Sequence, residues 1–488
     1  MAEEQSQTAE RRTSAPGATQ PQPRPDRWRI LAAVLIGGAM GPIDGSVVNV
    51  AMPVISQYYH VSVSMVSWVA MAYLLVIGTL LLTFGRLGDM VGYKRIYRLG
   101  LAVFTVASAA CSAAPSLGLL VAARAVQALG AGMFMAVSPA IITATFPPYE
   151  RGRALGFNGM AVAAGLALGP SLGGALTDWL GWRAIFYINL PVGVAALLWT
   201  ARALPEGQPR PGQRFDLVGA ALALVGLGSL LLYASEGETW GWASAPALGV
   251  LALALLAGAA FVVTERRVPQ PMLSLALFRN RTFSAANAAG LLSFVAQFVL
   301  VFLTPFLLQR GIGLDPARAG LVMTVSPLLV LSVAPFSGAL SDRIGTRWLA
   351  FLGLGVASLP FFLLAAVGPT AGPWDIAWRL AIFGLGTGIF QSPNNSAVMG
   401  AAPRQHLGVA SAVLATVRNV GMVLGVAVAG AVFSGRESAY LHQLAAAGFA
   451  QGAAVHQAFW LGLRDAYLTG GVLSAIGALL CLVRDPRS

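Results

Sequence analysis

Apolar residues in this chain do not alternate with polar ones; they come in runs. Stretches dominated by Ala, Leu, Val, Gly and Phe recur from residue 29 to residue 483, separated by short polar segments. About twenty such residues in a helix match the thickness of a bilayer core. The pattern predicts fourteen spanning helices, at 29–52, 64–84, 96–114, 117–145, 154–178, 184–201, 216–235, 247–264, 283–308, 318–340, 348–367, 375–399, 408–433 and 465–483. The segment Ser434–Leu463, which carries His442 and His456, is left as one long loop whose alanine content suggests a surface helix.

The pattern is also doubled. Gly85-Arg86-Leu87-Gly88-Asp89-Met90-Val91-Gly92-Tyr93-Lys94 recurs 253 residues later as Gly338-Ala339-Leu340-Ser341-Asp342-Arg343-Ile344-Gly345-Thr346-Arg347. Arg124 and Pro139 recur as Arg379 and Pro393, and Gly152, Gly165, Gly169 and Gly174 recur 256 residues on as Gly408, Gly421, Gly425 and Gly430. Helices 1–6 therefore match helices 9–14, and helices 7 and 8 have no counterpart. The expected fold class is an all-α polytopic membrane protein. It has two six-helix bundles related by a pseudo-two-fold, plus two inserted helices, and parallel repeats of this kind build many secondary transporters. The expected divisions are a disordered cytoplasmic tail (1–27), an N-terminal bundle (28–201), a linker with inserted helices 7 and 8 (202–282), a C-terminal bundle (283–483) and a short cytoplasmic tail (484–488).

Composition sets the solvent. The chain is 57% hydrophobic and 10% charged, too little charge to cover a soluble surface of this size. Its net charge of +12 would suit nucleic acid, but the placement argues otherwise. With the N-terminus taken as cytoplasmic, 23 of the 31 Lys and Arg fall inside, five fall outside and three (Arg124, Arg379 and Arg418) fall within helices. That asymmetry follows the positive-inside rule and puts both termini in the cytoplasm. No secretory signal precedes the first apolar run, which is expected to be retained. The two cysteines, Cys111 and Cys481, lie in apolar runs and read as small core residues rather than a disulfide or metal site. Lys94 is the only lysine, a usage that hints at a GC-rich bacterial genome.

Intramembrane charges are costly and usually functional. Asp44 is the one carboxylate deep in a predicted span. It lies about 13 Å below the outer end of helix 1, while Arg124 lies about 10 Å below the outer end of helix 4. The two can pair, which lowers the cost of both. The pair is either a site of proton coupling or a structural ion pair that never titrates. Gln127, one turn below Arg124, is expected to face a central cavity. Other polar anchors expected there are Asn49, Tyr73, Gln297, Gln391 and Asn395. Arg418, roughly 18 Å from the inner end of helix 13, must be met by helix ends and water or by an anionic group. Arg379 is expected to make an ordinary helix-face salt bridge with Asp375. In helix 5, Gly165, Gly169, Gly173 and Gly174 admit a close neighbouring helix, and Pro170 permits a bend. Its repeat mate has Val426 there instead. The polar turn containing Gly85, Asp89, Gly92, Lys94 and Arg95, with Asp342 and Arg343 in its repeat, reads as a cytoplasmic latch.

Together these residues resemble the major facilitator superfamily. Gly85–Arg95 resembles its loop between helices 2 and 3, Arg124–Gly132 its helix-4 Arg motif, and Gly165–Gly174 its helix-5 antiporter motif. Asp44, Asn49 and Pro53, with the segment Trp182-Arg183-Ala184-Ile185-Phe186-Tyr187-Ile188-Asn189-Leu190-Pro191, resemble the 14-helix drug:proton antiporter branch. The resemblance implies rocking of two halves about a central cavity and efflux driven by proton entry. Asp44 would then be the proton-linked acid, Arg124 its partner, and Asp89 and Asp342 the latches. Ser341 and Thr346 depart from the loop pattern in the second half, which weakens the symmetry of the two latches.

The expected function is proton-coupled export of amphipathic small molecules, with an endogenous metabolite or lipid-like acid as the alternative cargo. One deep acid against two or three membrane arginines favours neutral, zwitterionic or acidic cargo over dications. The expected partners are a small-molecule substrate, protons and the lipid bilayer, without nucleic acid. No cofactor or metal is expected beyond a proton gradient, and the unit is expected to be a monomer. A membrane-embedded enzyme would need clustered His, Asp or Ser at one depth. The four histidines, His60, His406, His442 and His456, are scattered over loops and helix ends on both sides. A transporter-like sensor is the remaining reading.

Overall fold

The computed structural model describes residues 26–204, 217–267, 275–403 and 407–483. Residues 1–25 and 484–488 of the expected tails, and 205–216 and 268–274 of the expected linker, lie outside the described residues. Among the described residues every regular element is helical. The first half comprises α1 (Arg27–Tyr59), α2 (Val63–Val91), α3 (Tyr93–Ala113), α4 (Leu117–Thr145), α5 (Pro148–Leu180) and α6 (Ala184–Ala203), the last broken at Ile188. α7 (Leu217–Trp240) and α8 (Ala245–Arg267) follow as a hairpin. The second half comprises α9 (Arg281–Gly311), α10 (Pro316–Ile344), α11 (Thr346–Ala365), α12 (Pro373–Gly400), α13 (Leu407–Ala446) and α14 (Gln451–Cys481).

Among the described residues, eleven of these helices are long and apolar enough to cross a bilayer, fewer than the fourteen spans expected. The exceptions have visible causes. α7 is apolar from Leu217 to Ala234 and then turns polar at Ser235-Glu236-Gly237-Glu238. α12 is diluted by Asp375, Arg379, Gln391, Asn394 and Asn395, and α14 carries Arg464 and Asp465. The structure corrects the expected outer loop Ser434–Leu463. α13 continues to Ala446 and α14 starts at Gln451, so the segment is two helix extensions joined by a short turn. The extensions are tied together by Tyr440 Oη donating to Asp465 Oδ2 at 2.9 Å and by Arg436 Nε at 3.5 Å from the same carboxylate. Gly462 also lets the two extensions approach closely, its Cα side facing Glu437 and the Phe433 carbonyl.

Local chemistry sets the helix ends. Ser62, Ser116, Asn280 and Asp315 cap α2, α4, α9 and α10 by accepting a first-turn backbone N–H. Gly92 and Gly345 close α2 and α10 at φ 103° and 85°, a conformation that L side chains rarely adopt. Their equivalence in the sequence repeat is therefore a backbone requirement.

Packing follows the same rule in each half. α5 lies on α1, and α13 lies on α9, through the repeated glycines. A Cβ at Gly165 would sit 3.1 Å from Ala39 O, and one at its mate Gly421 3.0 Å from Leu291 O. α5 also meets α10 across the halves, as α13 meets α2. α7 packs on both α2 and α13 along that second seam.

The face at which α1 begins is here termed the basic face, since Arg27, Lys94, Arg95, Arg153, Arg343 and Arg347 lie at helix ends there. Contacts between the halves concentrate toward the opposite face. Ser64 N donates to Ser434 Oγ at 3.2 Å, Gln309 Nε2 to Val50 O at 2.7 Å, and the Ser171 and Thr324 hydroxyls are 2.5 Å apart. Gly174 and Gly320 let α5 and α10 touch at backbone distance. Toward the basic face the same two helices part, and a Cβ at Gly156 or Gly159 would meet nothing within 4 Å. The result is a cavity of about 620 Å³ between the halves, sealed at the opposite face.

Candidate functional site

The chemistry divides into a buried charge network and the cavity beside it. Helix α1 carries Asp44 and helix α4 carries Arg124, and the two side chains are each 1% exposed. Arg124 Nη1 donates to Asp44 Oδ2 and, at 2.6 Å, to Gln127 Oε1, while Arg124 Nε donates to Val69 O at 3.1 Å. The other carboxylate oxygen, Asp44 Oδ1, accepts from Gln127 Nε2 at 3.0 Å and from Asn189 Nδ2 at 2.7 Å. Gln127 Nε2 also reaches Ser108 Oγ at 2.7 Å. The Tyr73 ring lies against Arg124, 4.0 Å from its guanidinium carbon, and the Tyr73 hydroxyl donates to Gly41 O at 3.1 Å. A charged pair in low dielectric is tolerated when its remaining lone pairs and protons are bonded, and here both carboxylate oxygens are.

Gln127 corrects an expectation. It does not line the cavity; it is fully buried and orients the pair from behind. Three-residue spacing put it on Arg124's face, as expected, but that face turns into the first half rather than toward its axis. Asn189 and Ser108 were not assigned from sequence. Asn189 stands at the break in α6, which turns its amide toward α1, and an Asn two residues before Pro191 was the available signal.

The cavity is lined by α1, α2, α4 and α5 on one side and by α9, α10, α12 and α13 on the other. Of the expected polar anchors, Asn49, Tyr73, Gln297, Gln391, Asn395 and Arg418 line it. Asn419, Ser326, Ser392 and Thr304 add to them, and Phe294, Phe298, Phe383 and Met323 supply apolar wall. Asp44 does not line it; Tyr73 does, and it contacts the charge network from the cavity side.

α5 forms one wall and the seal above it. Gly165, Gly169 and Gly173 face α1, where Gly169 lies against Ser46, and Gly174 faces the Pro316 carbonyl of α10. The helix runs on through Pro170, whose carbonyl lies against Gly320.

At the polar turn, the Tyr93 hydroxyl donates to Asp89 Oδ1, and Gly92 N donates to Gly88 O at 2.9 Å. Gly85 borders open space, and Arg95 and Arg343 are exposed. The Asp342 side chain lies outside the described residues. Arg379 and Asp375 form the expected helix-face pair at 3.9 Å. Cys111 and Cys481 are buried, the Cys111 thiol 3.6 Å from Gln127 Oε1 and the Cys481 thiol 3.5 Å from Gly477 O.

Comparison with known proteins agrees with this architecture. The model of the Major Facilitator Superfamily matches residues 34–426. Riboflavin transporter RibZ of Clostridioides difficile is 36% identical over 82% of this chain and 87% of its own length. Multidrug resistance protein Stp of Mycobacterium tuberculosis is 34% identical over 84% of this chain and 76% of its own. Among solved structures, a bacterial homologue of the human lysosomal transporter Spinster, in an inward-facing and unoccupied conformation, superposes with a TM-score of 0.70. That match covers 94% of this chain and 97% of the other at 18% identity, a likeness of fold. The repeat, the cavity between the halves and these matches lead to one conclusion: the chain is a membrane transporter belonging to the Major Facilitator Superfamily.

Proposed function

We propose that this protein is a proton-driven exporter of amphipathic small molecules, working by alternating access. The observation that carries the reading is the cavity itself. It lies between two repeated halves, is closed at the opposite face, and borders a buried carboxylate–guanidinium pair. The positive-inside asymmetry makes the basic face cytoplasmic, with both termini there. Cargo then enters from the cytoplasm or inner leaflet in the conformation described here. Fourteen spanning helices, with α1–α6 and α9–α14 as the two rocking bodies and a monomer as the working unit, complete the scheme.

In this cycle the halves rock so that the cavity opens outward. A proton from that side moves onto the Asp44 carboxylate, which removes the charge that holds Arg124. Cargo leaves, the halves rock back, and the proton passes to the cytoplasm as the Asp44–Arg124 pair reforms. Tyr73 separates the pair from the cavity, so its movement would gate proton access. The turn carrying Asp89, Gly92, Lys94 and Arg95, with Asp342 and Arg343 in the repeat, would latch the cytoplasmic ends when the cavity faces outward. The relatives named for riboflavin transport and for multidrug resistance support small organic cargo. The same cavity admits an endogenous metabolite.

The test is transport in sealed vesicles with an imposed pH gradient, comparing wild type with Asp44→Asn. Wild type is expected to move cargo and to dissipate the gradient in a cargo-dependent way, and the variant to do neither. Undiminished coupling in Asp44→Asn would assign the pair a purely structural role.

A further inference from the structure

We infer that Arg418 makes the cavity a site for amphiphiles that carry an anionic group. This rests on the reading of the cavity as the transport site and names the cargo class. Arg418 projects from α13, is accessible from the cavity, and among the described residues is the only ionised side chain lining it. Among the described residues no hydrogen bond or ion pair engages its guanidinium. The deepest carboxylate, Asp44, cannot serve it, because both Asp44 oxygens are held by Arg124, Gln127 and Asn189.

An arginine cannot relieve this situation by losing its proton. A lone cation in a largely apolar chamber therefore produces a positive potential that nothing else in the wall offsets. Gln297, Gln391 and Asn395 offer neutral hydrogen-bonding groups, and Phe294 and Phe298 offer a ring-sized apolar surface. A cavity of about 620 Å³ holds a molecule of several fused rings. The complementary ligand is an aromatic or long apolar body with one carboxylate, sulfonate or phosphate. It would bind Arg418 through charge-assisted, preferably bidentate hydrogen bonds. A dication would meet repulsion here, so the site selects by charge and tolerates variation in shape.

The experiment uses four probes that share one fluorophore: dansylglycine (anionic), its methyl ester and dansylamide (neutral), and dansylcadaverine (cationic). Binding to the purified full chain in a neutral detergent is measured by equilibrium dialysis, with protein-free micelles as the blank. Dansylglycine is expected to bind tightest, and its methyl ester roughly tenfold more weakly, as for the loss of one charge-assisted hydrogen bond. Arg418→Gln should weaken dansylglycine far more than dansylamide and so remove that preference, while Arg418→Lys should retain part of it. If Arg418→Gln proves unfolded, the acid-against-ester ratio in wild type decides alone. Equal binding of acid and ester, tighter binding of dansylcadaverine, or an unaltered preference in Arg418→Gln overturns the inference.

Phosphatidylglycerol added to the micelles distinguishes the source of the anion. Displacement of dansylglycine at low mole fraction assigns the site to anionic lipid, and its absence assigns it to a soluble acid. The two readings fail separately. Acid preference without Asp44-dependent coupling sinks only the export cycle, and coupled transport without charge preference sinks only the anion site.

Discussion

Asp44 and Arg124 are held by complete satisfaction rather than by proximity alone. Two amide side chains donate to one carboxylate oxygen and the guanidinium to the other, and an aromatic ring covers the cation. Removing one charge leaves the other buried without its counter-ion, a loss of about 3–5 kcal/mol for a pair of this kind. Arg124→Gln is therefore expected to lower the thermal midpoint in detergent strongly, and Asp44→Asn/Arg124→Gln to recover part of the loss. A double variant as unstable as the sum of the singles would show that the pair is not coupled. The pairing was legible in the sequence because depth along a helix can be counted from its ends. Asn189 was only half legible: Pro191, which cannot donate to the Tyr187 carbonyl, announces a break near Ile188, but nothing in the spacing says that the break aims the Asn189 amide at Asp44.

At the scale of the element, α5 does two jobs with one row of small residues. Gly165, Gly169 and Gly173 bring it onto α1 inside the first half, while Gly174 brings it onto α10 across the halves. The two contacts should respond differently to added bulk. Gly173→Leu, facing the Val47 carbonyl, is expected to prevent stable folding, read as loss of monodisperse protein in detergent. Gly174→Leu should leave the first half intact and push α10 away, weakening the seal at the opposite face. A flexible bis-maleimide bridging Ser64→Cys and Ser434→Cys is expected to cross-link readily in wild type and less in Gly174→Leu; unchanged cross-linking would place the seal elsewhere. The α7–α8 hairpin fits this scale too. Lying on both α2 and α13, α7 covers the second seam between the halves from the lipid side. The sequence marked the hairpin as outside the repeat but carried no sign of where it docks.

For the whole molecule, rocking makes a reciprocal prediction. Spin labels at the exposed ends Trp179 and Arg318 report the opposite face, and labels at Arg95 and Arg343 report the basic face. On binding of cargo with a proton gradient, the first distance is expected to lengthen as the second shortens, measured by pulsed dipolar spectroscopy. Change at one face alone would replace rigid rocking with local gating. The sequence by itself determined the solvent, the helical class, the internal duplication and most of the cavity's polar residues. Each of these depends on local composition and spacing, and an apolar helix in lipid has few other structures open to it. Only the tertiary structure decided which way each helix face turns, and so put Gln127 behind the pair and left Arg418 in the cavity with no partner among the described residues. It also decided that Ser434–Leu463 continues two helices instead of looping, because the partner that stabilises each extension is the other extension. Rotation about a helix axis and pairing between distant segments follow from the packing of the whole bundle, which the spacing along one helix does not encode.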